Sequence, residues 1–318
     1  MSSLPADATA FLDRSLGRGW RAAPLFGDAS VRRYFRVVDA RGNSVILAYY
    51  PEALRSEVEI FRRAYDAVSP HAPVPRILES CEIGVLQEDI GDVTLFEVVK
   101  SDRPRGLDLY RRAVDLLVEF QRSAPAGAEL NPPFDCAKFL DEMEMTREFY
   151  VERLCRSGES ASLARHFETL CTNLEQHKYE ICHRDYHGEN IHVINGSIFI
   201  IDYQDLRRGP DTYDLASLLR DRGVAQILGD DVEEELIARY RERLGADAAI
   251  RTRYFETLLQ RTIKIIGTFA KQAVTRERTH YLDYIPPALQ TIERCAREVP
   301  QYQELARLFP RNAEMRER

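Results

Sequence analysis

The stretch His183-Arg184-Asp185-Tyr186-His187-Gly188-Glu189-Asn190 leads into Ile191–Ile194, the turn Asn195-Gly196 and Ile198–Ile201, and ends at Asp202-Tyr203. Asn-Gly between two short apolar runs is the strongest local signal for a two-residue β-hairpin, because both central residues must take positive φ. The stretch therefore reads as a polar loop, a tight hairpin and an aspartate at the end of the returning strand. Asp185 and Asn190 share the loop, and the hairpin brings the chain back so that Asp202 can face Asn190.

Toward the N-terminus the pattern is β-rich. Residues 31–38 and 44–50 are rich in Val, Ile, Tyr and Phe and flank Asp39-Ala40-Arg41-Gly42-Asn43, which predicts a hairpin with a longer loop. Asp7 is read as the cap of a short helix ending at Gly17. Residues 55–68 read as a helix with Val58, Phe61 and Tyr65 on one face. Pro73 and Pro75 break the chain, and short strands follow near Arg76–Ser80 and Val85–Glu88. Helical periodicity dominates afterwards, over 108–122, 136–153, 160–178, 212–221, 231–243, 252–274 and 284–297. A β-rich part, 1–88, is thus expected to join a helical part, 89–318, near Asp89–Val93, with the small hairpin inside the second part.

Composition narrows the classes of function. The chain has 318 residues, a net charge of −7 and 44% hydrophobic residues, enough for one large or two modest domains. The negative balance argues against nucleic acid as a partner. No apolar run is long enough to span a bilayer, and Met1–Ala10 lacks the features of a signal peptide. The expectation is a cytoplasmic monomer acting on a small molecule, with no nucleic-acid or membrane partner. The six cysteines form no Cys-x-x-Cys pair, and Cys182 beside His183 is a poor nucleophile pair because chain neighbours seldom face each other. His183, His187 and His192 lack the spacing of a zinc site.

The residue types in the opening stretch suit phosphoryl transfer. That reaction needs one carboxylate to orient a hydroxyl and accept its proton, and oxygen ligands to hold Mg²⁺ against nucleotide phosphates. Asp185 is placed for the first task, and Asn190 and Asp202 for the second. His183 to Asn190 matches the pattern H-R-D-x-x-x-x-N in full. The motif is short, but a following hairpin, a preceding β-rich part and a terminal aspartate add to it. His183 and Arg184 are read as organisers of the loop.

Further runs extend the pattern. They are Gly27-Asp28-Ala29-Ser30-Val31-Arg32-Arg33-Tyr34-Phe35-Arg36, Leu86-Gln87-Glu88-Asp89-Ile90-Gly91-Asp92, Ile201-Asp202-Tyr203-Gln204-Asp205 to Gly209-Pro210, and Thr212-Tyr213-Asp214 to Asp221. With His187 in the loop motif, they resemble the aminoglycoside phosphotransferase and choline kinase-like superfamily. Within it the chain is most similar to the bacterial anomeric kinases of N-acetylmuramate and N-acetylglucosamine. The resemblance implies an α+β, protein-kinase-like two-lobe fold with a small β-rich N-lobe and a large helical C-lobe, and the use of ATP and Mg²⁺. It makes Asp185 the base, contacting substrate, and Asn190 and Asp202 the magnesium ligands. Gly27, Asp28, Ala29 and Ser30 become the loop over the phosphates. Backbone groups near Glu88 and Ile90 would hold adenine. Asp205 would touch sugar or metal, and Asp214 would brace the catalytic loop. The implied activity is phosphorylation of a small hydroxyl compound, an N-acetylated amino sugar first. An aminoglycoside, choline or homoserine kinase and a nucleotide-binding pseudokinase are the alternatives.

One departure stands out. Most kinases of this fold place a lysine on the third strand for the α- and β-phosphates. Here that strand is Ser44 to Tyr50, and the first lysine of the chain is Lys100. An arginine is the expected substitute, Arg33 or Arg36, since a guanidinium binds phosphate bidentately. Alternation puts Arg32, Tyr34 and Arg36 on one face and Arg33, Phe35 and Val37 on the other, and only one face can meet the nucleotide. On the acceptor side, Tyr186 and Tyr203 are candidate stacking surfaces, Phe149 and Tyr150 are read as core, and Arg261, Lys264 and Lys271 as mainly solvated.

Overall fold

The computed structural model describes residues 4–25, 32–123 and 131–311. Two compact units emerge, Met1–Asn131 with Asp185–Leu206, and Pro132–Arg184 with Arg207–Arg318. The expected parts are 1–88 and 89–318, whereas compactness groups residues 89–131 and the small hairpin with the β-rich part.

In the first unit the order is α1 (Ala6–Leu16), β1 (Arg21–Leu25), β2 (Arg33–Val38), β3 (Ser44–Tyr49), α2 (Ser56–Val68), β4 (Ile77–Cys81), β5 (Gly84–Glu88), α3 (Leu95–Ser101) and α4 (Arg103–Ser123). The five strands form one antiparallel sheet in the order β1-β2-β3-β5-β4. The β2–β3 hairpin turns where the sequence placed it. The Asp39 carboxylate accepts the N–H groups of Arg41 and Asn43, each at 2.8 Å, and Gly42 takes φ +89°.

Alternation decides which face of β2 is buried. Phe35 and Val37 pack with Val45, Leu47 and the α1 residues Ala8, Phe11 and Leu12. Each large apolar side chain buried this way contributes about 1.5–3 kcal/mol. Asp7 is not the cap of α1. Pro5 holds that position, and Asp7 sits in the first turn, where its carboxylate meets Arg55 at 2.9 Å and the Tyr49 hydroxyl at 3.3 Å. An acid there still suits the helix dipole. The short helix α3 escaped the periodicity reading although its start is signed by a capping box, Thr94 with Glu97.

The small hairpin, Ile191–Ile194 with Ser197–Ile200, has Asn195 at φ +50° and Gly196 at φ +78°, as a mirror-image turn requires. It is stitched to the segment after β5. Val193 N–H donates to Val93 C=O at 2.8 Å, and Phe96 N–H to Gly188 C=O at 3.1 Å. The hairpin therefore belongs to the β-rich unit by hydrogen bonding, although Pro132–Arg184 of the other unit precedes it in the chain.

The second unit is mainly helical, with α5 (Cys136–Met145), a π-helical run (Thr146–Leu154), α6 (Ser160–Glu175), α7 (Tyr213–Arg220), α8 (Val224–Leu228), α9 (Asp230–Leu244), α10 (Ile250–Arg276), α11 (Ile285–Glu298) and α12 (Gln303–Leu308). One antiparallel pair interrupts it, Tyr179–Cys182 with Arg207–Pro210. The central helix α10 buries Tyr254, Phe255, Leu259, Ile263 and Ile266. The single helix expected over 136–153 turns π-helical at Thr146, where Gly267 of α10 approaches its backbone. Among the described residues no helix is long and apolar enough to cross a membrane.

A methyl group on Gly267 would stand 2.4 Å from the Thr146 nitrogen, a backbone atom that cannot swing aside. Alanine gains about 1 kcal/mol of helix propensity over glycine. Overpacking of about 1–3 kcal/mol or more opposes it. Gly267→Ala is therefore expected to lower the melting temperature in a thermal scan, whereas a site with room for the methyl group would raise it.

Candidate active site

The loop and hairpin place the expected residues by backbone hydrogen bonds. His187 N–H bonds to Asp185 C=O, and Asn190 N–H to His187 C=O, each at 2.9 Å. The hairpin pairs Ile191 with Ile200, and Ile201 N–H donates to Asn190 C=O at 3.0 Å. Asp202 is thus delivered beside Asn190, as the spacing predicted. Gly188 is required by space, since a Cβ there would lie 2.7 Å from the Tyr110 hydroxyl oxygen.

Asp185 is exposed at the start of this loop. The Asn190 amide nitrogen donates to Asp185 C=O at 3.0 Å, which leaves the amide oxygen as the group able to face a cation. Asp202 is 40% exposed and takes φ +65°, a left-handed conformation costly for a residue with a side chain. Its Oδ1 accepts Gln204 Nε2 at 2.9 Å and an Arg32 guanidinium nitrogen at 3.3 Å. Gln204 and Arg32 were not singled out by spacing, since neither sits at a motif position that spacing alone assigns to the metal carboxylate.

Among the described residues no three His, Cys, Asp or Glu side chains converge as a metal cage. Magnesium takes one or two protein ligands and completes its shell with phosphates and water. The exposed Asp202 carboxylate and the Asn190 oxygen fit such an ion. His192 Nδ1 bonds to Gly91 C=O at 2.8 Å.

The nucleotide side differs from expectation. Gly27, Asp28, Ala29 and Ser30 lie outside the described residues. Arg36 is committed to carboxylates, with Nε 2.7 Å from Asp89 and two further nitrogens each 2.7 Å from Asp92. Burial alone would raise the Asp89 carboxyl, yet Arg36, Ser44 and the Gly91 N–H hold it below the usual carboxylate range. The Arg33 guanidinium lies over the Phe35 ring, 5.1 Å from its centre. Neither expected arginine reaches Asp202. The Glu88 N–H is bonded to Arg76 C=O at 2.9 Å, which removes it from the groups that could hold adenine, and Ile90 is buried in the segment beyond.

The acceptor-side tyrosines are core. Tyr203 is 1% exposed and stacks on Phe61 at 5.4 Å between ring centres, so its face is not open to a sugar. Tyr186 is buried, with its hydroxyl donating to Ala113 C=O at 2.8 Å. Both rings are candidate stacking surfaces by sequence, and burial in the unit's own core overrides that. Asp205 is exposed in the turn that follows. Arg261 and Lys264 are not solvated either. Lys264 Nζ lies 3.2 Å from the buried Glu142, and Arg261 pairs with Asp221.

In the second unit, Asp214 secures the chain just before Asp185. Its carboxylate accepts the backbone N–H of His183 at 2.6 Å and of Arg184 at 2.8 Å. Arg184 takes φ +81°, so the brace holds a strained residue. Burial raises the Asp214 carboxyl, against the opposing pull of His183 and the two amides. Burial also pushes the Cys182 thiol well up, which excludes it as a thiolate nucleophile.

An antiparallel sheet, an H-R-D loop and a returning hairpin ending on a metal-type aspartate define a kinase-like small-molecule phosphotransferase. The sequence profile of the phosphotransferase enzyme family matches residues 21–254, and the chain belongs to that family. It is 29% identical, over 92% of its length and 89% of the relative's, to an N-acetylmuramate/N-acetylglucosamine kinase of Pseudomonas aeruginosa. It is 28% identical to the kinase of the same name from Neisseria meningitidis, over 89% and 86% of the two chains. Its fold is similar to that of APH(2'')-IIa solved with streptomycin and ATP, with a TM-score of 0.58 and 15% identity over 84% of this chain and 91% of that one.

Replacing Asp214 by asparagine leaves one oxygen for two buried N–H groups. The unpaired amide costs about 1–3 kcal/mol, and if the loss falls on the catalytic loop it lowers kcat by about 10–100-fold. Steady-state kinetics on Asp214→Asn should show a fall in kcat larger than any rise in nucleotide KM. An unchanged kcat would remove the brace from the chemistry.

Proposed function

We propose that this chain transfers the γ-phosphoryl group of ATP to the anomeric hydroxyl of an N-acetylated amino sugar, N-acetylmuramate or N-acetylglucosamine. The acceptor rests on the two relatives of that name, which match this chain along most of both lengths. The phosphoryl chemistry rests on one observation, the return of Asp202 to Asn190 by the hairpin, with Asp185 on the same loop.

In this reading the sugar hydroxyl donates its proton toward Asp185 as its oxygen attacks the γ-phosphorus. Asp185 is exposed and so open to a substrate. The strained Arg184, held by Asp214, fixes where the following carboxylate starts. Asn190 and Asp202 would hold Mg²⁺, which when bound screens the phosphate charge. Gln204 orients Asp202 from behind by its 2.9 Å hydrogen bond. ATP as donor is supported by the fold shared with a protein solved with ATP.

A coupled ADP-release assay with N-acetylglucosamine, N-acetylmuramate, kanamycin and choline tests the acceptor. The two amino sugars should be turned over and the other two not. Turnover of kanamycin or choline alone would overturn the sugar assignment, and ATP binding without any turnover would favour a pseudokinase. Asp185→Asn should remove turnover with the preferred sugar while ATP affinity in titration calorimetry stays within about twofold of wild type. Retained activity in that variant would sink Asp185 as the base.

A further inference from the structure

The geometry points to Arg32, the residue just before β2, as the cation that holds the nucleotide phosphates in place of the lysine that β3 lacks. This inference rests on the nucleotide phosphotransferase reading and adds a residue to it.

The side chains of β3 from Val45 to Tyr49 are buried and carry no cation. A polyphosphate bound beside this sheet needs its positive partner from elsewhere, and Arg32, just before β2, with Arg33 and Arg36 on it, are the arginines nearby. The core settles which face of β2 is which. Phe35 and Val37 point into the α1 core, and Arg33 follows them, its guanidinium over the Phe35 ring. Arg32, Tyr34 and Arg36 occupy the opposite face. Of these, Arg36 is fastened to Asp89 and Asp92 at 2.7 Å and ties β2 to the segment after β5. Drawing it to a phosphate would leave two carboxylates uncompensated.

Arg32 is placed differently. Arg33 pairs with Tyr49 in the sheet register, so Arg32 comes level with the end of β3. Its guanidinium lies 5.9 Å from the centre of the Tyr50 ring and 3.3 Å from Asp202 Oδ1, and its side chain is 14% exposed. It therefore touches the carboxylate assigned to magnesium, at the end of the strand where the lysine is missing. A metal ligand cannot give its charge fully to an arginine and to Mg²⁺ together. With Mg²⁺ bound at Asp202, the guanidinium would stand beside the phosphates held by that ion, an anion it can pair with. A planar guanidinium would offer two parallel N–H donors to the phosphate oxygens, where an ammonium acts as a point charge.

Titration calorimetry on the full chain with MgATP, MgADP and adenosine separates a phosphate contact from a merely structural role. Loss of a charge-assisted pair of about 1.5–3 kcal/mol corresponds to about 10–100-fold in affinity. Arg32→Met should weaken MgATP and MgADP binding by about that factor, with adenosine affinity within about twofold of wild type. Arg32→Lys, which keeps the charge and loses the fork, should fall between the two and remain testable if the methionine variant does not fold. Arg36→Met should leave the ratio of ATP to adenosine affinity unchanged and lower the melting temperature. Equal loss of adenosine and ATP in Arg32→Met, or ATP affinity unchanged in both Arg32 variants, would overturn the assignment. A selective loss of ATP in Arg36→Met alone would move the role to Arg36. If the wild-type chain binds neither ATP nor adenosine, the nucleotide reading itself fails, an outcome distinct from failure of Arg32.

Discussion

The hydrogen bond from Ile201 N–H to Asn190 C=O closes the hairpin on which the proposed chemistry rests. With the Ile191–Ile200 pair it makes the separation of Asn190 and Asp202 a property of the backbone. Two oxygen donors 12 residues apart in sequence become neighbours because Asn195 and Gly196 accept positive φ. A one-residue slip of that register would turn Asp202 to the opposite side of its strand. The stitching of the hairpin to Val93 and Phe96 keeps the register from slipping, and also explains why the β-rich unit includes it.

Outside the hairpin turn, backbone strain falls in this stretch on Arg184 at φ +81° and Asp202 at φ +65°. Each left-handed residue with a side chain costs on the order of 1–3 kcal/mol and persists only where its surroundings over-determine it. Asp214 does this for Arg184 by taking two consecutive amides. Gln204 and Arg32 do it for Asp202 by holding one carboxylate oxygen. The strain and its restraints sit on either side of the Asp185–Asn190 loop in sequence. Both ends of the loop are fixed by polar contacts, and the exposed Asp185 carboxylate lies between them.

Much of this was legible in the sequence because it depends on local rules. Asn195-Gly196, the Asp39–Asn43 turn and the long apolar periodicities each dictate their own geometry. What was not legible depends on packing at a distance. Tyr203 flanks the motif and looks like a substrate surface until Phe61 of α2 covers it. Arg207-Arg208-Gly209-Pro210 has no strand pattern, yet pairs with Tyr179–Cys182, and Phe134 and Cys182 leave no room for a side chain at Gly209. Lys264 and Arg261 read as solvated because α10 carries many polar residues, and only the fold brings Glu142 and Asp221 to meet them. Period-two alternation sorted the arginines of β2 into two sets but could not say which faced the core. Phe11 and Leu12 of α1 decide that.

The missing lysine then has a physical reading. In β3 each side chain from Val45 to Tyr49 is buried, so a lysine there would displace apolar volume and require a carboxylate partner to offset its desolvation. An arginine at the edge of the neighbouring strand avoids that conflict. Its guanidinium stays charged in a partly buried setting and is supported on Asp202, a carboxylate the site already contains. The anion-binding charge is thereby moved from the buried centre of the sheet to its border. The Arg36–Asp89–Asp92 group performs the separate task of tying β2 to the segment beyond β5. Two arginines on one face of one strand thus serve different ends, and their partners distinguish them. One is closed off by two carboxylates, and the other rests on a carboxylate that a metal ion would claim.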